Sequence, residues 1–161
     1  MPRPALDSID VSILEQLQNN GRLTNLELAN EVGLSPSPCL RRLRRLEKEG
    51  LIKGYHASLN REVIGLDITA FVRVNIERHR GGEAEAFTKA VTKLPEVISC
   101  YITAGESDFL LHVVVPDLTA YREFALEKLM RVPGIKDICS SFVVSTLKEG
   151  APLPIPRPLE D

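Results

Sequence analysis

Residues 24–50 read TNLELANEVGLSPSPCLRRLRRLEKEG, and the fold of the chain turns on them. An amphipathic run from Thr24 to Val32 is followed by Gly33-Leu34, by a Ser35-Pro36 helix start, and by a second run carrying Arg41, Arg42, Arg44, Arg45 and Lys48. That is the spacing of a helix-turn-helix with a basic second helix. Proline suits the first turn because the N–H it lacks would have no partner there, and Ser35 suits the N-cap. At about 100° per residue, Leu40, Leu43 and Leu46 share a face with Cys39. Ser37, Pro38, Arg41 and Arg45 then fall on or near the opposite side, with Arg42 and Arg44 on its flanks. A merely solvated helix face would mix signs, whereas residues 41–48 hold five bases against the single acid Glu47.

Working outward, Ile9, Ile13, Leu14 and Leu17 recur at helical spacing before the stop Asn19-Asn20-Gly21. After the basic helix, Gly50-Leu51-Ile52-Lys53-Gly54-Tyr55 reads as a turn into an extended segment that runs to Leu59. This predicts a winged module in which Lys53 is placed against backbone phosphate. The positive charge is local: residues 1–60 hold 8 Lys+Arg against 7 Asp+Glu, residues 61–161 hold 12 against 15, and the whole chain is at −2. Only the first part is a candidate for double-stranded DNA. Ser37, Pro38 and Arg41 are expected nearest the base edges, with Arg42, Arg44, Arg45 and Lys48 nearer phosphate or partly reading bases.

The rest of the chain changes pattern. ITAFVRVNI at 68–76 reads as a strand, Glu83 to Leu94 as a helix, Val97 to Ala104 and Phe109 to Val115 as strands, Asp117 to Met130 as a capped helix, and Ile135 to Leu147 as containing a last strand. The order βαββαβ predicts a ferredoxin-like domain over 61–161, beside a helix-turn-helix domain over 1–60, in an α+β chain. The strands are apolar at nearly every position, as in FLLHVVV, so a second sheet is expected to cover the bare face.

Other features narrow the class. With no apolar run of about 18 residues and no signal-peptide core in MPRPALDSID, no membrane span is expected and a cytoplasmic location is. Cys39, Cys100 and Cys139 lie within apolar patterns and are expected to be reduced. His56, His79 and His112 show no metal-ligand spacing, and no nucleophile stands with a base, so neither a metal, a cofactor nor an enzyme is expected. The tail from Gly150, with Pro152, Pro154, Pro156 and Pro158, is expected to be extended, either as a loose end or lying on a neighbouring subunit. The turn Gly105-Glu106-Ser107-Asp108 reads in two ways. It is a plain strand connection, or a site where free N–H groups take a carboxylate while Asp108 orients the loop or meets an ammonium.

LSPSPCLRRLRRLE, with GLIKGYHASLN behind it, resembles the Lrp/AsnC family of transcription regulators, nearer its leucine-responsive branch, and the likeness runs from Leu6 to about Leu147. The resemblance implies a ligand-responsive, sequence-specific DNA-binding regulator that pairs sheet to sheet as a homodimer and assembles into octamers. It also favours the effector reading of the turn. By position it points to Ile102, Thr103, Gly105, Ser107 and Asp108, with Met130, Ser141, Phe142 and Val143. Their mostly apolar character, with no Lys or Arg beside Asp108 in sequence, predicts a small apolar amino acid such as leucine or methionine. The alternative is an architectural protein that compacts DNA with little sequence preference.

Overall fold

The structure is a computed structural model that describes residues 5–77 and 82–157. The chain divides into two compact units, Met1–Ser58 with Lys148–Asp161, and Leu59–Leu147. The tail that the sequence attaches to the second domain therefore groups with the first.

Three helices form the first unit: α1 (Ser8–Asn19), α2 (Asn25–Glu31) and α3 (Pro36–Lys48). The first two start at reciprocal caps. Asp7 accepts from the Asp10 N–H while the Asp10 carboxylate accepts from the Asp7 N–H, and Thr24 and Glu27 repeat the arrangement. Gly33 makes the turn into α3 at φ +67°, a conformation that costs glycine nothing. Ser35 occupies the N-cap of α3 in extended geometry but makes no side-chain cap bond, contrary to what its residue type suggests. Ile13, Leu28, Ala29, Cys39 and Leu46 form the buried centre, with Leu43 packed against it, so this face of α3 turns inward while Arg41, Arg44 and Lys48 are exposed. Residues 53–60 carry no hydrogen-bonded ladder.

The second unit is a four-stranded antiparallel sheet in the order β2-β3-β1-β4. Its elements are β1 (Ile68–Ile76), α4 (Glu83–Val91), β2 (Val97–Ile102), β3 (Phe109–Val115), α5 (Leu118–Glu123) with a π-helical continuation over Phe124–Leu129, and β4 (Ile135–Phe142). Asp117 caps α5 by accepting the Ala120 N–H at 2.8 Å. Alternation decides the core. Ala70, Val72, Val74 and Ile76 of β1, with Phe109, Leu111, Val113 and Val115 of β3, are buried together with Phe87, Val91, Phe124 and Leu129 of the helices. Each of the valine, leucine, isoleucine and phenylalanine side chains contributes roughly 1.5–3 kcal/mol by leaving water.

The opposite face differs from the expectation of an almost wholly apolar surface. Phe71 stacks on His112 at 4.8 Å, and Tyr101 is exposed nearby in register with Leu110. On β1 and β4, however, that face carries Arg73, Asn75, Asp137 and Ser141. The apolar residues in the run are divided between two faces by the period of two, and the polar ones satisfy each other. Asn75 Nδ2 donates to Asp137 Oδ1 at 2.9 Å, and Arg73 donates to Glu106 at 3.2 Å.

Candidate nucleic-acid interface and effector site

Helix α3 sorts its five cations into two groups. Arg42 Nη1 donates to Asp7 Oδ2 at 2.6 Å and to Asp10 Oδ1 at 2.9 Å, and Arg45 pairs with Asp10 Oδ2. Asp10 is only 1% exposed, so its charge is stabilised by two guanidiniums that are themselves part-exposed. The Asp7 and Asp10 bonds raise the Arg42 pKa. Burial pushes the Asp7 carboxyl up, but the Asp10 N–H and the Arg42 guanidinium outweigh it and hold the group below its ordinary value. Arg42 and Arg45 are thus tied to the start of α1, a pairing that the sequence pattern did not indicate. Long stems let Arg42 from the flank of α3, and Arg45 from near its outer side, reach round to the neighbouring helix. Arg41, Arg44 and Lys48 are exposed and make no ion pair among the described residues.

The first turn of α3 is set by a residue that sequence reasoning passed over. Asn25 Nδ2, at the start of α2, donates to the Pro36 carbonyl at 2.9 Å and so ties the two helix beginnings together. Asparagine at such a position has no distinctive sequence signal. Ser37 is exposed, Pro38 half-buried and Lys53 exposed. The helix presents Ser37, Arg41, Arg44 and Lys48 to solvent, a cationic face suited to a duplex.

In the second unit the turn between β2 and β3 is bound internally. Asp108 Oδ2 accepts the Ile76 N–H at 3.0 Å, and its own N–H donates to the Val74 carbonyl at 3.1 Å. Thr103 closes the loop, its N–H donating to the Asp108 carbonyl at 3.0 Å and its hydroxyl to the Ser107 carbonyl at 2.6 Å. Gly105 stands at φ +154°, with open space where a Cβ would be. Arg73 reaches this turn through Glu106, a cation that sequence neighbours of Asp108 did not reveal because only the strand register brings it there.

The nine candidate effector residues do not converge within one chain. Ile102, Thr103, Gly105, Ser107 and Asp108 lie beside the end of β1 marked by Ile76. Gly134 returns to the same end, where its carbonyl accepts the Glu77 N–H at 2.8 Å, and Met130 stands four residues before it. Phe142 pairs with Ala70, six residues back along β1; at about 3.3 Å per residue that is roughly 20 Å away. Ser141 and Val143 go with it, and β4 and β2 are opposite edges of the sheet. Ile102 is 81% exposed, and Met130 and Phe142 are each 44% exposed.

Of the histidines, His112 lies in β3 and His56 in the 53–60 segment, while His79 lies outside the described residues. Among the described residues no group of three His, Cys, Asp or Glu could hold a metal ion, and no helix is long and apolar enough to cross a membrane.

A basic helix-turn-helix joined to a ferredoxin-like unit is the architecture of a two-domain transcription regulator. Residues 6–53 match a family described as winged helix-turn-helix DNA-binding, and residues 69–153 match the Lrp/AsnC ligand binding domain. The leucine-responsive regulatory protein of Escherichia coli strain K12 is 43% identical over 148 residues, 92% of this chain and 90% of that protein. A transcriptional regulator of Neisseria meningitidis, solved in complex with L-Met, aligns with a TM-score of 0.90 at 45% identity, over 93% of this chain and 97% of that one. An AsnC family regulator from Agrobacterium tumefaciens aligns at 0.87 and 34% identity, over 92% and 97%. The chain belongs to the Lrp/AsnC family of transcription regulators, with a DNA-binding unit and an amino-acid-binding unit. Its relatives are regulators rather than enzymes, and the architectural alternative is not favoured.

Proposed function

We propose that the chain reads a specific, roughly palindromic DNA site through α3 and answers to a small apolar amino acid, leucine or methionine. The observation that carries the first part is the division on α3: Arg42 and Arg45 anchor the helix to α1, which leaves Ser37, Pro38 and Arg41 for base edges and Arg44, Lys48 and Lys53 for phosphate. The second part is supported by the ordered turn at Asp108, by the apolar side chains of Ile102, Met130, Phe142 and Val143, and by the L-Met complex of the Neisseria relative. Ser141 lies beside Phe142 and Val143.

One chain leaves these residues in two groups, which supports a site completed by a second copy. A homodimer paired through the sheet face bearing Phe71 and Tyr101, assembling further to an octamer, fits that requirement. The protein acts in the cytoplasm as a regulator without enzymatic activity. Two assays test the proposal: selection of duplexes from a random pool, and titration calorimetry with leucine, methionine, lysine and aspartate. One enriched motif together with leucine or methionine binding is expected. Equal affinity for all duplexes would restore the architectural reading, and lysine binding without leucine binding would refute the apolar pocket.

A further inference from the structure

The first unit contains a cleft of about 580 Å³ between Leu14, Leu17 and Gln18 of α1 and the segment Leu51–Tyr55, roofed by Leu153–Pro156 of the tail. Tyr55 forms part of one wall, and its hydroxyl donates to Glu47 at 3.1 Å, which fixes the ring. The tail is held at its backbone. The Leu153 N–H donates to Gln18 Oε1 at 2.6 Å, and the Leu153 carbonyl accepts from Gln18 Nε2 at 3.2 Å, so a single amide side chain satisfies both groups of one residue. One turn earlier on α1, Glu15 pairs with Arg157 at 3.4 Å. The Leu153 side chain points out, whereas Ile155 is half-buried. Pro152, Pro154 and Pro156 carry no N–H to leave unpaired, and their restricted φ lowers the entropy lost on docking. A groove with an aromatic wall and an amide clamp is built for such a segment.

We propose that the Glu15–Gln18 face of α1 is the docking site for the chain's own proline-rich tail, and that the tail, docked through hydrogen bonds and an ion pair, is a second tie between the two units. The first tie is the chain passing from Ser58 to Leu59; the second leaves the sheet after Phe142 and reaches α1 through residues 143–157. Since the second tie begins beside Ser141–Val143, amino-acid occupancy there acts on the DNA-binding unit through the tail. That last step rests on the effector reading above, whereas the docking does not.

Hydrogen exchange on the full chain tests the docking. The Leu153 N–H should exchange about ten-fold or more slower than an unstructured amide, and Gln18→Ala should remove that protection while the α3 amides stay protected. Exchange at the unstructured rate in the wild type would overturn the docking. Gln18→Ala is then compared with the wild type in calorimetry and in DNA binding with and without methionine. The variant should bind methionine and DNA as the wild type does, but the change in DNA affinity on adding methionine should shrink by about 5-fold or more. A full response in a variant whose tail has lost protection overturns the tie. A wild type that binds no amino acid overturns the effector reading instead, and exchange alone then decides the docking.

Discussion

Each unit has an aspartate that ties two of its elements together, and the two are held in different ways. Asp10 in the first unit is buried and faces Arg42 and Arg45 from another helix, so side-chain charge is matched by side-chain charge. Asp108 in the second accepts a main-chain N–H from β1, so its charge is set against the end of a strand. The first arrangement couples the placement of α1 to α3 and engages two of the helix's arginines within the unit. The second fixes the path of a loop through a charge-assisted bond to the main chain.

The largest effect should come from deleting the first anchor. Asp10→Ala leaves two guanidiniums without their counter-charge and should cost about 2–3 kcal/mol, below the figure for a fully enclosed pair because water reaches both arginines. Denaturant unfolding measures this, and an unchanged midpoint would break the contrast. Next, Arg41→Ala should weaken binding to a selected duplex by about 1–3 kcal/mol and relax base preference. Lys48→Ala should lower affinity equally on selected and scrambled duplexes, with a shallower salt dependence. An Arg41→Ala protein that binds both as before would take α3 out of the reading role.

Asp108 sharpens the comparison. Asp108→Ala should abolish the amino-acid response while DNA binding and dimer formation persist. Asp108→Asn, which keeps an oxygen for the Ile76 N–H, should retain most of the response if the group orders the loop. Loss in the Asn variant as severe as in the Ala variant would mean that the carboxylate meets the ligand's ammonium directly. The smallest effect concerns pH. The Asp7 carboxyl is held below its ordinary value in the folded chain, so its contribution is fully present above about pH 4 and fades as the pH falls through the lowered folded value. Melting curves from neutral pH downward should lose stability only at the acid end. Asp7→Ala, lacking the cap, should start about 1 kcal/mol lower and show less of that acid loss.

Periodicity carried much of the fold. The leucine stripe of α3, the alternation in β1 and the cap at Asp117 are local signals, and the elements they specify formed within a few residues of the expected bounds. What was not legible depends on groups distant along the chain. The task of Asp10 had no local signal in the sequence, because its partners Arg42 and Arg45 lie 32 and 35 residues away. Arg73 reaches the 105–108 turn only through strand register. The tail read as extended, but its seat on α1 needs Gln18, an exposed glutamine like many others. The separation of Ser141–Val143 from Asp108 follows from strand order, which a list of apolar positions does not contain.

The π-helical stretch Phe124–Leu129 has an evolutionary consequence. The Met130 N–H bonds the Ala125 carbonyl, five residues back, at 2.9 Å, the mark of a helix that has absorbed one additional residue. Each residue added or lost turns the downstream side chains by about 100° around the helix axis, so loss of one residue from this stretch would swing another side chain into the place of Met130. A lineage carrying this helix can therefore revise one wall of the proposed amino-acid site by a change of length, with Asp108 and the recognition helix untouched.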